Sequence, residues 1–242
     1  MELSGYQLLM AAAIMCFGAF VQSTIGFGLA IIAAPLLYMI DPMFVPGPLI
    51  ACGFLLALPM AIQNISSLQF KGVSIALMGR VPGTYIGILI LATLSPASLS
   101  IGIGAMVLMA TLLTWTTIDI TPSRGNFLIA GFLSGVAGTA TSIGGPPVAI
   151  LLQNQKAKAI RGNLAAYFIF SSTMSTVALA MSGHFTADHL LLSAYLVPGL
   201  ILGFTLGHMA IKTLALDSIR PAILSMCLIA GMAAVIRGVL SY

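Results

Sequence analysis

Uncharged stretches longer than a membrane span dominate this sequence. No charged residue occurs between Leu3 and Ile40, a stretch of 38 residues, or between Gly125 and Gln155, a stretch of 31. A helix needs about 20 apolar residues to cross a hydrocarbon core. Only 6% of the chain is charged, far below the roughly 25% of soluble domains. The sequence predicts an all-α polytopic membrane protein, with one transmembrane domain over 1–242.

Each of these two stretches is interrupted by small and polar residues. The first break is Gln22-Ser23-Thr24-Ile25-Gly26-Phe27-Gly28, and the second is Thr141-Ser142-Ile143-Gly144-Gly145-Pro146-Pro147. Irregular backbone at membrane depth is tolerated only where it is buried in protein or lines a polar cavity. Paired breaks of this kind are typical of secondary transporters and predict a central binding site.

Uncharged segments between polar turns predict the remaining helices. We expect them at 44–64, 72–94, 98–118, 164–182, 188–212 and 219–240, with a midpoint linker from Asp119 to Arg124. Residues 8–21 resemble the apolar part of a signal peptide, but no basic residue precedes them, so they are interpreted as the first membrane segment.

An internal repeat is predicted from two pairs of similar segments. Ile25-Gly26 matches Ile143-Gly144 at an offset of 118, and Val81-Pro82-Gly83 matches Val197-Pro198-Gly199 at an offset of 116. The order of segments is also the same in both halves. The sequence therefore predicts two repeats, about 1–118 and about 125–242.

The distribution of basic residues tests the topology, because basic residues favour cytoplasmic loops. If every element crosses, the basic residues outside Arg80 divide almost evenly between the two faces. If 126–152 enters and leaves on one face, a single face holds all of these basic residues except Arg237, namely Lys71, Arg124, Lys156, Lys158, Arg161, Lys212 and Arg220. The second break is therefore predicted to be re-entrant, with basic loops in the cytoplasm.

The same count leaves open whether residues 8–40 cross the membrane or turn back. Repeat symmetry extends the re-entrant interpretation to them, and the arms 8–22 and 29–40 are each too short to span alone. Each half then contains a broken helix pair and three spans. That odd number predicts inverted repeats.

The breaks are expected to bind an anion. Two helix N-termini that converge on one point would present free N–H groups, and hydroxyl groups would add donors. The alternative is that the small residues serve only helix packing. The predicted binding residues at the breaks are Gln22, Ser23, Thr24, Gly26, Phe27, Gly28, Thr141, Ser142, Gly144, Gly145 and Pro146.

Arg80 is the remaining predicted binding residue, since it lies about nine residues inside its segment. An arginine at membrane depth costs about 2.5 to 3.5 kcal/mol on insertion scales, so a compensating partner is expected. Arg80 either binds the anion, reaches the interface or forms a structural pair. Lys156, Lys158 and Arg161 are interpreted mainly as cytoplasmic anchors, with anion recruitment as a secondary role.

Other classes of function find little support in the sequence. Basic residues are scattered, which argues against nucleic-acid binding. No metal-site, nucleotide-site or catalytic motif is present, so we expect no enzyme, metal or cofactor. Cys16, Cys52 and Cys227 are far apart and predict no disulfide framework, although Cys16 or Cys52 could relay a sulfur species.

The two break motifs, the twin Val-Pro-Gly segments and Arg161-Gly162 resemble the TauE/SafE sulfite exporter family of membrane permeases over almost the whole chain. The resemblance implies transport of sulfite, thiosulfate, sulfoacetate or another organosulfonate across a bacterial-type inner membrane. It leaves open the direction, the coupling ion, a channel-like pathway and the oligomeric state. The alternatives are a membrane scaffold without transport and a cysteine-relay thiosulfate channel.

Overall fold

The computed structural model describes residues 3–115, 120–211 and 216–241, without the side chains of residues 216–220 and 222. The described residues form ten α-helices and two short 3₁₀ turns, and they contain no strand. The helices are α1 (Gly5–Ile25), α2 (Leu29–Ile40), α3 (Gly47–Asn64), α4 (Phe70–Thr93), α5 (Pro96–Trp115), α6 (Arg124–Thr141), α7 (Pro146–Leu152), α8 (Ala157–Met181), α9 (Ala187–Ala210) and α10 (Leu216–Leu240).

The described helices are those of a polytopic membrane protein. Seven segments are long and apolar enough to cross a membrane. Large apolar side chains also remain exposed along the helices, as Met78, Val81 and Tyr85 of α4 show. In water such an apolar surface would favour aggregation, but it is suited to contact with lipid. The predicted all-helical membrane fold is confirmed.

The first arm of the first break is longer than predicted. Ser4 and Gln7 form a capping box, so α1 begins at Gly5 and reaches Ile25, and its 21 residues are long enough to span. Ser23 and Thr24 do not end the helix because each hydroxyl donates to a carbonyl of the preceding turn. The expectation that both arms are too short was therefore wrong for α1.

Two polar stretches that were predicted to be loops are helical. α8 begins at Ala157, so Lys158 and Arg161 lie in its first two turns. Likewise, Asp217 and Ser218, which lie in the polar stretch between the predicted segments 188–212 and 219–240, fall in the first turn of α10. The predicted segment ends at residues 118 and 212 lie outside the described residues, as does Lys212 itself.

The helices pack in pairs that join one half of the chain to the other. The most extensive contacts are between α4 and α6, α1 and α9, α5 and α10, and α3 and α8. A Cβ placed at Gly83 would lie 2.2 Å from the carbonyl oxygen of Phe132 on α6. One placed at Gly199 would lie 2.1 Å from the carbonyl oxygen of Ala12 on α1. Only glycine allows the backbones to approach so closely.

Contacts between helix ends show where the chain enters and leaves the bundle. Lys158 donates to Ser66, Gln69 donates its N–H to Asn163, and Gly72 lies against Phe127. The beginnings of α4, α6 and α8 therefore lie at one end, which we call the Lys158 end. α6 begins at the Lys158 end, and α7 leads into α8, which begins at the same end. The α6–α7 pair therefore enters the bundle and returns at one end.

Candidate functional site

The first break is a short left-handed turn between α1 and α2. Gly26 has φ 109° and Gly28 has φ 125°, both in the region that favours glycine. The amide oxygen of Gln22 accepts a hydrogen bond from Leu29 N–H at 3.2 Å, which ties the end of α1 to the start of α2. Gln22 therefore stabilises the turn between α1 and α2.

The second break turns at Ser142, a non-glycine residue with φ 69°. Left-handed backbone is unfavourable for such a residue unless its surroundings stabilise it. The Ser142 hydroxyl donates to the carbonyl oxygen of Pro46 at 3.0 Å, so the residue that precedes α3 helps to hold this turn. The chain then passes through Gly144 and Gly145 into α7.

The two breaks contact each other and line a small cavity of about 50 Å³. A Cβ placed at Gly145 would lie 3.6 Å from Cβ of Phe27 and 3.1 Å from the ring of Phe168. Glycine at 145 therefore allows the second break to lie against both aromatic side chains. Eight of the predicted binding residues line this cavity: Gln22, Phe27, Gly28, Arg80, Ser142, Gly144, Gly145 and Pro146.

The other four predicted residues lie elsewhere. Thr24 lines a second, larger cavity. Ser23 packs against Gly207 of α9, and Gly26 packs against Arg161 of α8. Thr141 is buried and accepts from Ile143 N–H. None of these four is among the residues that line the small cavity.

The breaks offer fewer hydrogen-bond donors than the sequence suggested. The hydroxyls of Ser23, Thr24, Thr141 and Ser142 each donate to a backbone carbonyl. At the helix starts, the Leu29 N–H is used by Gln22, while α7 has seven residues and begins with two prolines, which have no N–H. The starts of α2 and α7 both line the small cavity, but Gln22 and the two prolines leave them fewer free N–H groups than the sequence suggested, and anion binding by these helix starts stays a prediction.

Arg80 supplies the charge of the small cavity. It is 3% exposed, so it does not reach the membrane interface. One terminal nitrogen donates to the carbonyl and the hydroxyl of Ser134, both at 2.8 Å, and to Tyr167 at 3.3 Å. The other donates to Ser175 at 2.9 Å. None of these acceptors is charged, so the guanidinium is held in place while its charge is not neutralised by them.

Further contacts fix the direction of this guanidinium. Ser134 donates to the carbonyl oxygen of Gly144 in the second break, and Tyr167 donates to Ser134 at 2.8 Å. A Cβ placed at Gly144 would lie 3.1 Å from Nη1 of Arg80. Among the described residues, Nε of Arg80 finds no acceptor. A buried cation without a charged partner is costly, and an anion in the cavity that Arg80 lines would compensate its charge.

The side chains that hold Arg80 were not found by sequence reasoning. Ser134, Tyr167 and Ser175 lie on α6 and α8, far from Arg80 in the chain. The sequence indicated only that a buried arginine requires oxygen acceptors, without indicating which residues supply them. Because hydroxyl residues are numerous in these helices, only the packing of α4 against α6 and α8 selects these three.

The larger cavity has a volume of about 320 Å³ and lies beside the end of α1. Among the described residues that line it, Arg161 is the charged one, and Thr24, Gln153 and Cys227 contribute polar or sulfur atoms. The described residues that line a third cavity of about 480 Å³, between α4, α5, α6 and α7, are all uncharged. The cavity of about 320 Å³ beside Arg161, called the larger cavity by comparison with the small one, is therefore the second cavity that offers a positive charge to an anion.

Comparison with known proteins identifies the family. The family described as Sulfite exporter TauE/SafE matches residues 10–234, which include parts or all of every helix from α1 to α10. The chain is 26% identical over 160 residues to the probable sulfite/organosulfonate exporter TauE of Cupriavidus necator. That match covers 63% of this chain and 61% of the relative, less than two thirds of its length. No solved structure matches. Together with the broken-helix membrane fold, the family match shows that the chain belongs to the TauE/SafE sulfite exporter family.

Proposed function

We propose that this protein is a membrane permease for a small sulfur oxyanion or organosulfonate, which binds beside Arg80 in the small cavity between the breaks. The observation that carries the proposal is a buried guanidinium that lines this cavity and donates only to neutral oxygens. The name of the Cupriavidus relative supports the substrate class. The protein acts in a bacterial-type inner membrane, with its basic loops in the cytoplasm.

The packing supports an arrangement of two repeats, about 1–118 and about 125–242. α1 packs on α9 as α6 packs on α4, and the equivalent glycines Gly83 and Gly199 make equivalent close contacts. α1 begins beside the start of α9, whereas α6 begins at the Lys158 end, where α8 also begins. α8 runs from the Lys158 end to the opposite end of the bundle, where α9 begins. The two broken helix pairs, α1–α2 and α6–α7, therefore enter the bundle from opposite ends. Opposed entry is what inverted repeats require.

The size of the small cavity favours sulfite over longer organosulfonates. A water molecule needs about 10 to 15 Å³ of cavity volume, so a cavity of about 50 Å³ holds roughly four non-hydrogen atoms of that size. Sulfite has four non-hydrogen atoms, whereas sulfoacetate adds a carboxylate and a methylene group. We infer that sulfite enters this conformation directly and that a longer substrate requires the breaks to separate.

Thermal unfolding of the purified protein in detergent tests this proposal. Sulfite, sulfoacetate and chloride are compared at matched ionic strength and pH. A ligand at a hundred times its Kd stabilises the folded state by about 2.7 kcal/mol, so sulfite should raise the midpoint by several degrees. Sulfoacetate should raise it less and chloride should leave it unchanged.

The same measurement addresses the scaffold alternative. If no sulfur anion changes the midpoint and proteoliposomes take up no labelled sulfite, the breaks serve packing and the permease proposal is wrong. If sulfoacetate stabilises more strongly than sulfite, the anion site stands but the argument from cavity size is wrong.

A relay through Cys16 or Cys52 is disfavoured by the positions of these two thiols. Cys52 is fully buried and lies 3.8 Å from the carbonyl oxygen of Ser193. Neither Cys52 nor Cys16 lines the small or the larger cavity. We therefore expect the double variant Cys16→Ala, Cys52→Ala to transport sulfite and thiosulfate within about twofold of the wild-type rate. A selective loss of thiosulfate transport in this variant would support the relay.

A further inference from the structure

Arg161 places a second positive group in the larger cavity, next to the small one. It lies in the second turn of α8, and its Nη1 donates to the carbonyl oxygen of Thr24 at 3.3 Å. That acceptor is neutral, and it uses one of the five N–H groups of a guanidinium. No carboxylate is among the described residues that line this larger cavity. Within the described part of the lining, Arg161 therefore gives the larger cavity a positive charge with no carboxylate beside it.

The two cavities are neighbours that share a wall. Phe27, Gly28, Ile31 and Pro146 line both of them. Phe27 comes from the first break and Pro146 from the second, so the wall is made of the same segments that form the site. The cavities are thus separated by little more than one layer of side chains, with a guanidinium on either side.

We propose that Arg161 forms a second anion station and that Phe27 is the movable part of the wall between it and Arg80. This inference rests on the proposed function and extends it from one site to a path. An oxyanion first exchanges with solvent at Arg161, where the cavity is about 320 Å³ and the arginine is partly exposed. It then passes Phe27 into the tighter cavity, where the buried arginine replaces part of its hydration.

Another role for Arg161 has to be distinguished from this one. Thr24 lies in the last turn of α1, so Arg161 also interacts favourably with the negative end of that helix. If capping were its whole role, substitution would lower the stability of the protein without sulfite and leave sulfite binding unchanged. An anion station instead changes the number of bound anions and the KM.

Equilibrium binding of radiolabelled sulfite to the purified protein measures the first quantity. The wild type should bind two sulfite ions per chain, and Arg161→Gln should bind one. One ion per chain in the wild type, or an unchanged number in Arg161→Gln, would overturn the second station while leaving the site at Arg80 intact. If Arg80→Gln still binds and transports sulfite like the wild type, the proposed site beside Arg80 is wrong, and if the wild type neither binds nor transports sulfite, the permease proposal itself fails.

Transport in proteoliposomes measures the second quantity. Arg161→Gln should raise the KM for sulfite about tenfold while the maximal rate stays within about twofold, and Arg161→Lys should retain most of the affinity because it keeps the charge. Lys158→Gln is the matched control, since Lys158 lies one turn earlier in α8, donates to Ser66 and lines neither cavity. If Lys158→Gln raises the KM equally, the effect is general surface attraction and the station is disproved.

The role of Phe27 is tested by variants with a smaller and a larger side chain. Phe27→Ala should raise the maximal rate of sulfite transport and Phe27→Trp should lower it, while each protein still binds two sulfite ions. Equal rates in both variants would show that Phe27 does not limit passage between the stations.

Discussion

Arg80→Gln is expected to weaken sulfite binding by about thirtyfold or more, because removing one member of a buried charge pair costs about 2 to 5 kcal/mol. The guanidinium is 3% exposed and lines the small cavity, so water does not screen its interaction with an anion. Glutamine keeps a hydrogen-bond donor but removes the charge. Equilibrium binding of labelled sulfite and initial rates of uptake into proteoliposomes measure the effect.

Arg80 also connects α4 to Ser134, Tyr167 and Ser175, so its loss could act through folding alone. Two variants separate these effects. Arg80→Lys keeps the charge but cannot bond to both sides of its pocket as a planar guanidinium does, and we expect intermediate affinity. Arg237→Gln removes an arginine that donates to Met39 at an exposed position, and it should bind sulfite normally. Normal sulfite affinity in a folded Arg80→Gln protein would show that Arg80 is only a structural link.

Gly83→Ala and Gly199→Ala are each expected to prevent stable folding. The added Cβ would lie 2.2 Å from the Phe132 carbonyl oxygen in one case and 2.1 Å from the Ala12 carbonyl oxygen in the other. Real Cβ atoms do not approach backbone oxygens so closely, and backbone cannot move aside as a side-chain end can. The α4–α6 or α1–α9 pair would have to separate, at a cost of about 3 kcal/mol or more. Thermal unfolding and the yield of monodisperse protein in detergent measure this.

Gly102→Ala is the matched control for these two substitutions. Gly102 lies within α5, and a Cβ placed there meets no atom within 4 Å. Alanine is the better helix former, so Gly102→Ala should leave stability unchanged or raise it by up to about 1 kcal/mol. If Gly83→Ala folded as well as Gly102→Ala, the close approach of α4 and α6 would not be a requirement of the fold.

Much of the fold follows from local properties of the chain. Long uncharged stretches permit only helices within a bilayer, because each helix satisfies its own backbone hydrogen bonds. The glycines at 26 and 28 mark the end of α1, and the second break lies where the sequence placed it. The length of α1 was underestimated, since the capping box at Ser4 and the back-bonded hydroxyls of Ser23 and Thr24 extend the helix at both ends.

The candidate site was predictable only in part. Arg80 was identifiable because a lone charge in an apolar helix requires compensation, whatever its neighbours are. In contrast, Ser23 and Thr141 are near the breaks in sequence but do not line the small cavity. Their positions on the helix faces direct them to α9 and to their own helix, as Gly207 and Ala137 show. Sequence proximity to a break does not determine which way a side chain points.

Composition and spacing alone were enough to predict a helical membrane protein with two broken helices and one arginine at membrane depth. The acceptors of that arginine, the contact between the two breaks and the cavity beside Arg161 depended on how the helices pack. The reason is physical. Membrane insertion and helix interruption depend on residues close together in the chain, whereas a binding site depends on distances between helices that the local sequence does not specify.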